Sequence, residues 1–156
     1  MTPLIIFCAK YLFVANALIV LWVMVRETVA NRKTLIFRGI LVLVLAVAMA
    51  KIGGALYIEQ RPFIALNISP LIPHNAENGF PSDHALITFS MAFLLFPFSR
   101  RAALAGVILA IAVSVGRVAS YLHTPIDIIA SILMAALANI IAIKVIRASD
   151  KNQELV

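Results

Sequence analysis

Apolar residues run along this chain in long unbroken stretches, not at alternating or one-face helical spacing. Five such segments cover roughly 3–25, 38–59, 84–99, 102–121 and 126–146, with short polar breaks and one longer proline-rich link at 60–83. Four of the five reach the roughly 20 residues a helix needs to cross hydrocarbon. Backbone polar groups in a bilayer must pair within their own segment, so each stretch is predicted to be an α-helix. The third is shorter. His84 to Pro97 makes about 21 Å of helix at 1.5 Å per residue, against a hydrocarbon core of about 30 Å. It either extends through Ser99 or begins below the surface, which places His84 at headgroup depth. The pattern predicts an all-α polytopic membrane bundle of about five transmembrane helices, forming one domain over residues 1–156. No internal repeat or low-complexity tract interrupts it.

Composition agrees. Of 156 residues, 63% are hydrophobic and 13% charged. A soluble domain is about half apolar and a quarter charged, and one of this size has no core large enough to hide the excess. A water-soluble enzyme, a disordered chain and a disulfide scaffold are excluded. The single cysteine, Cys8, forms no internal disulfide and is expected to face lipid or pack. The start lacks a basic region and a small-residue cleavage site, so it reads as a retained span.

The net charge of +6 would point to nucleic acid in a soluble protein. Here the basic residues flank apolar runs, so the charge reports orientation and no nucleic-acid partner is implied. Arg26, Arg32, Lys33 and Arg38 follow the first segment. Arg100 and Arg101 precede the fourth, and Lys144, Arg147 and Lys151 close the last. All fall on one side of a five-span arrangement, and only Arg61 and Arg117 lie on the other. The positive-inside rule places the N-terminus outside and the C-terminus in the cytoplasm, with loops 60–83 and 122–125 facing outward. Tyr57 and Tyr121 fit the outer aromatic belt and Trp22 the inner one. Loop 60–83 is apolar but broken by Pro62, Pro70, Pro73 and Pro81, so it is expected to lie along the interface as a lid or an entry wall.

Ionisable residues near hydrocarbon are kept for function. They gather at the outer ends: Glu59, Arg61, Ser82, Asp83, His84, Arg117, His123 and Asp127. Pro125 suits the first turn of the last helix, which sets His123 at its mouth. Asp127, four residues on, reaches back to one imidazole nitrogen and leaves the other nucleophilic. Arg117 offers a planar fork for phosphate oxygens. Ser82 reads as an N-cap, and the free N–H groups after it form an anion site. His84 stands in that first turn as a general acid. Arg61-Pro62 ends the second segment with another guanidinium at the same level. His74 has no matching partner and reads as solvated. Asn78-Gly79 reads as a turn, and Glu59 either pairs with Lys51 or Arg61 or marks a helix end.

Arg61-Pro62, Pro81-Ser82-Asp83-His84, and Arg117 with His123 and Asp127 follow the order and spacing of three motifs: K-x6-RP, PSGH and SR-x5-H-x3-D. The chain resembles the type 2 phosphatidic acid phosphatase (PAP2) superfamily, with motifs between residues 51 and 127. The Phe80-to-His84 form is similar to that of the bacitracin-resistance-type undecaprenyl-diphosphate phosphatases. The resemblance implies that His123 is a nucleophile forming a phosphohistidine and that Asp127 orients it. It implies that His84 protonates the leaving group and then activates water. Arg61, Arg117 and Ser82 would hold phosphate oxygens. No metal and no other cofactor is implied.

Three positions depart from the motifs. Gly116 replaces a serine, and Asp83 stands where glycine is common; its carboxylate is expected to turn from the phosphate towards a basic partner. Gly54 occupies the place of the first lysine, with Lys51 one turn deeper and able to snorkel towards the phosphate. The resemblance also implies six spans, the additional one preceding the first found here. An outward site beside an apolar loop calls for an amphiphilic phosphate in the plasma membrane. Undecaprenyl diphosphate, hydrolysed to undecaprenyl phosphate, is the leading expectation. A phosphatidylglycerophosphate, phosphatidate or lipid A phosphatase is the alternative enzyme. A catalytically silent scaffold or an anion transporter component is the alternative of another class.

Overall fold

Six helices and no strand form among the described residues: α1 (Thr2–Arg26), α2 (Val29–Leu56), α3 (Pro62–Ala65), α4 (Asp83–Leu94), α5 (Arg100–Ala119) and α6 (Pro125–Gln153). The computed structural model describes residues 2–153, with side chains through Ala148, so the Lys151 side chain lies outside the described part. The all-α membrane bundle expected from the apolar pattern is what forms. α1, α2, α5 and α6 are each long and apolar enough to cross a bilayer.

α4 is the short third segment. It ends at Leu94, and a tight turn carries the chain to Ser99. Seven of its twelve residues are buried, from Ala85 to Leu94. It packs against α1, α2, α5 and α6. Its short length is therefore tolerated because protein, not lipid, surrounds it. Small residues let the helices close on one another. Ala9 of α1 lies against Gly116 of α5, and Gly106 of α5 against Ala92 of α4. Asn16, fully buried in α1, donates to the carbonyls of Thr88 (3.0 Å) and Gly106 (3.2 Å), tying three helices together.

The first basic break is smaller than the charge pattern implies. α2 begins at Val29, so Arg32, Lys33 and Arg38 are helical and only Glu27 and Thr28 form the link. The Thr28 side chain caps α2 by accepting from the Asn31 amide. Arg32 turns back to donate to the carbonyls of Met24 and Val25, which end α1 without helical partners. Arg38 is buried, in contrast to its placement among the loop residues.

Loop 60–83 forms only the single turn of α3. Phe63 and Ile72 pack with Ala9 and Leu122, pinning the loop across the end of α1 and the α5–α6 link. Cys8 packs near Gly116. Lys10 is exposed, with its ammonium over the Tyr11 ring. Tyr57 and Tyr121 are exposed at one end of the bundle, and Trp22, beneath Arg26, at the other.

Candidate active site

Five of the expected side chains meet at the end of the bundle where α2 and α5 finish and α4 and α6 begin. α6 starts with a reciprocal cap. The Asp127 carboxylate accepts from the Thr124 amide (2.8 Å), and the Thr124 hydroxyl accepts from the Asp127 amide (3.3 Å). Pro125 takes the first helical position. This cap fixes the backbone beside His123. Tyr121, two residues earlier, has φ 59°, a left-handed conformation uncommon for a bulky residue. Its carbonyl accepts from the Phe63 amide (3.1 Å), which holds the turn against loop 60–83.

His123 is 3% exposed and Asp127 0%. The imidazole Nδ1 lies 3.4 Å from Oδ2 of Asp127 and 2.9 Å from the Gly79 carbonyl oxygen. A carbonyl only accepts, so Nδ1 carries the proton. On the other side, Nε2 faces guanidinium nitrogens of Arg117 (3.2 Å) and Arg61 (3.5 Å), which only donate. Three neighbours thus select one tautomer, with the lone pair on Nε2. Burial pushes the His123 pKa below its usual 6.5, and the two arginine charges act with burial, against the Asp127 hydrogen bond and charge.

Arg61 is held almost entirely by backbone. Nε donates to the Glu77 carbonyl, one terminal nitrogen to Leu122 (3.0 Å) and the other to Asn78 (3.2 Å). Burial draws its pKa down from the usual value, opposed by Asp127, Asp83 and Glu77. Arg117 is freer: its Nε is buried without a partner. So is the hydroxyl of Ser82, which sits at the N-cap of α4 but makes no capping bond. Ser131 fastens this corner by donating to the carbonyls of Asp127 and Ser82. Partnerless donors beside a histidine lone pair, with the first-turn amides of α4 unpaired, form a cradle suited to a tetrahedral oxyanion.

His84 occupies the first turn of α4, its ring packed edge-on against Phe13 of α1 at 5.6 Å between centroids. No direct bond joins it to His123. Asp83 and Lys51 are exposed, and both line a cavity of about 390 Å³ between α2 and the start of α4. Arg61, Gly54, Asn78 and Phe80 also line it. Asp83 makes no ion pair within 4 Å there; among the described residues the recorded pair joins His123 and Asp127. Glu59 accepts from the Tyr57 hydroxyl, not from Lys51 or Arg61. His74 is exposed, as expected of a loop residue.

Both motif glycines have steric reasons. A Cβ on Gly116 would stand 2.7 Å from the Ala9 amide nitrogen, so α1 leaves no room for serine. A Cβ on Gly54 would stand 3.1 Å from the Phe80 carbonyl oxygen. Asn78 fills the space beyond, a role sequence reasoning missed. Its amide donates to the carbonyls of Gly54 and Tyr57, and its oxygen accepts from the amides of Glu59 and Phe80. Gly79, Ser131 and Phe13 were missed as well. Gly79 acts through a backbone carbonyl, which leaves no signature in residue type beyond the Asn-Gly turn.

The chain resembles several known proteins over most of its length. It is 36% identical over 141 residues to the bacitracin transport permease protein BcrC of Bacillus licheniformis, covering 88% of this chain and 68% of that one. It is 30% identical over 130 residues to the undecaprenyl-diphosphatase BcrC of Bacillus subtilis, covering 83% and 67%. An undecaprenyl-diphosphatase of Sulfolobus acidocaldarius is 29% identical over 104 residues, covering 65% of this chain and 50% of that protein. No solved structure matches. The PAP2 superfamily model matches residues 35–151, which include the entire cradle. This chain belongs to the PAP2 superfamily.

Proposed function

We propose that this protein is a membrane phosphatase that hydrolyses undecaprenyl diphosphate to undecaprenyl phosphate and inorganic phosphate. The observation that carries the reading is the His123 imidazole, its Nδ1 proton held by Gly79 and its Nε2 lone pair turned to Arg117 and Arg61. Relatives named undecaprenyl-diphosphatase support the substrate. So does the shape of the site, where Lys51 and Arg61 line one cavity with Val47, Leu86 and Ile87. A diphosphate brings a second phosphate for Lys51 and an apolar chain for those walls.

In this reading Nε2 attacks the terminal phosphorus, and the bond from phosphorus to the bridging oxygen breaks. His84 gives its proton to the departing undecaprenyl phosphate. Water, losing a proton to His84, then attacks the phosphohistidine, and inorganic phosphate leaves with His123 restored. Arg117, Ser82 and the α4 amides hold the equatorial oxygens, which is where phosphoryl transfer needs charge stabilisation. Arg61 contributes the nitrogen facing His123 and otherwise braces the loops. The basic ends of α1, α5 and α6 lie opposite the cradle, which supports an extracytoplasmic site with the N-terminus outside.

The test is phosphate release by purified protein in detergent with EDTA present. Undecaprenyl diphosphate, phosphatidylglycerophosphate and phosphatidate run in parallel, with His123→Ala as control. Release from the first alone, lost in the variant, is the expected result. Release from all three would make this a broad lipid phosphatase. Release from none would favour a silent scaffold.

A further inference from the structure

At the other end of the bundle a second charged group is buried without a function in the phosphatase chemistry. Arg38 of α2 is 4% exposed. It lies 18 residues before the end of α2, about 27 Å along the helix from the catalytic end. One terminal nitrogen donates to Asn139 Oδ1 of α6 at 3.4 Å, and Nε is fully buried with no partner. Asn139 is itself held, donating to the carbonyls of Ser90 and Ala135. Arg147, exposed on α6, sits about two turns beyond Asn139 towards the same end of the bundle. No ion pair to Arg38 occurs among the described residues.

A guanidinium in hydrocarbon persists only with a partner or a task. Here the fork is held in place by Asn139 and its Nε keeps a donor unused. Arg38 and Asn139 line a pocket of about 240 Å³ whose other walls are apolar, with Phe93, Phe96, Pro97 and Ile140 among them. Phe96 and Ile140 are exposed, so the pocket opens sideways to lipid. Arg38 at the head of an otherwise apolar, laterally open pocket, with Arg147 exposed one turn beyond the wall residue Ile143, matches an amphiphilic anion, since basic pockets between membrane helices bind acidic headgroups.

We propose that Arg38 and Arg147 hold the phosphate of an anionic phospholipid from the leaflet opposite the catalytic site, its acyl chain lying along Phe96 and Ile140. The site is separate from the catalytic cradle and does not depend on which lipid that cradle hydrolyses. Native mass spectrometry of the purified full chain, titrated with phosphatidylglycerol or phosphatidylcholine in mixed micelles, measures it. Wild-type protein is expected to hold one phosphatidylglycerol at least tenfold more tightly than phosphatidylcholine. Arg38→Gln should remove that preference, and Arg38→Lys, keeping charge but not the fork, should weaken it. Should Arg38→Gln fail to fold, the exposed Arg147→Gln decides, with a threefold or greater weakening expected. Equal binding of the two lipids by wild type, or an unchanged preference in the Arg38 and Arg147 variants, overturns the proposal. Displacement of the lipid by millimolar inorganic phosphate would also overturn it, in favour of a free-anion site.

Discussion

The carbonyl oxygen of Gly79 lies 2.9 Å from Nδ1 of His123, closer than the Asp127 carboxylate at 3.4 Å. The imidazole is therefore oriented from two elements, a loop carbonyl and a helix carboxylate, and the carbonyl makes the better hydrogen bond. Asp127 divides its oxygen Oδ2 between His123 and the Thr124 amide. Its weaker hydrogen bond and its charge both favour a cationic imidazole, which matters most when His123 carries a phosphoryl group or a second proton.

Asp127→Asn follows from that division. Gly79 alone still accepts the Nδ1 proton, so the tautomer survives the substitution. The expected loss in kcat is well short of the roughly 10⁴-fold that accompanies a wrongly held tautomer in a histidine-based site. Steady-state phosphate release on the purified variant measures it. A loss as complete as that of His123→Ala would assign the tautomer to Asp127 instead.

The pH dependence has a defined sign. Burial lowers the His123 pKa below 6.5, so the neutral nucleophile persists into mild acid. The acid limb of kcat/KM is expected below 6.5. Folding follows the same linkage. The stability tied to a neutral His123 is complete above the unfolded value of 6.5 and is lost as pH falls through the lowered folded value. Rate profiles and thermal unfolding between pH 4 and 8 test both, and an acid limb above 6.5 would contradict the environment described for this residue.

Restoring the motif lysine by Gly54→Lys should harm, not help. The new Cβ would crowd the Phe80 carbonyl, and the stem would displace Asn78, which joins α2 to the strip carrying Gly79. A shift of that strip moves the carbonyl that orients His123. Misplacement by about 1 Å can cost roughly 10²-fold, so kcat is expected to fall between about tenfold and 10²-fold. The phosphate-release assay decides, and a rise in kcat would show that the loop yields at little cost.

What was legible in advance depended on side chains at fixed offsets from helix starts. His123 and Asp127 straddle Pro125, and Ser82 precedes α4, so local geometry constrained them before any packing was known. Gly79 could not be found this way, because a carbonyl looks alike under every residue. The early start of α2 was hidden for a related reason. Arg32 and Lys33 make its first turns polar, and only the folded hairpin shows Arg32 serving the carbonyls that end α1. Burial of Arg38 was hidden by the same charge pattern, which marks the membrane side but not the helix face. α4 was legible as short but not as enclosed, since enclosure comes from the four helices around it.

Gly116→Ser, the other motif restoration, tests whether packing or chemistry sets that position. The obstructing atom is the Ala9 backbone nitrogen, 2.7 Å from the new Cβ, so trimming the Ala9 side chain to glycine gives no relief. α1 and α5 must move apart instead. Overpacking of this kind costs about 1–3 kcal/mol, read as a lowered Tm in detergent. Activity should fall by more than the folded fraction does, because residue 116 adjoins Arg117 and a displaced α5 carries that guanidinium away from Nε2 of His123. Measuring Tm and kcat on the same preparation separates the two effects. An unchanged Tm with higher kcat would mean that α1 accommodates the hydroxyl and that the glycine was limiting the reaction.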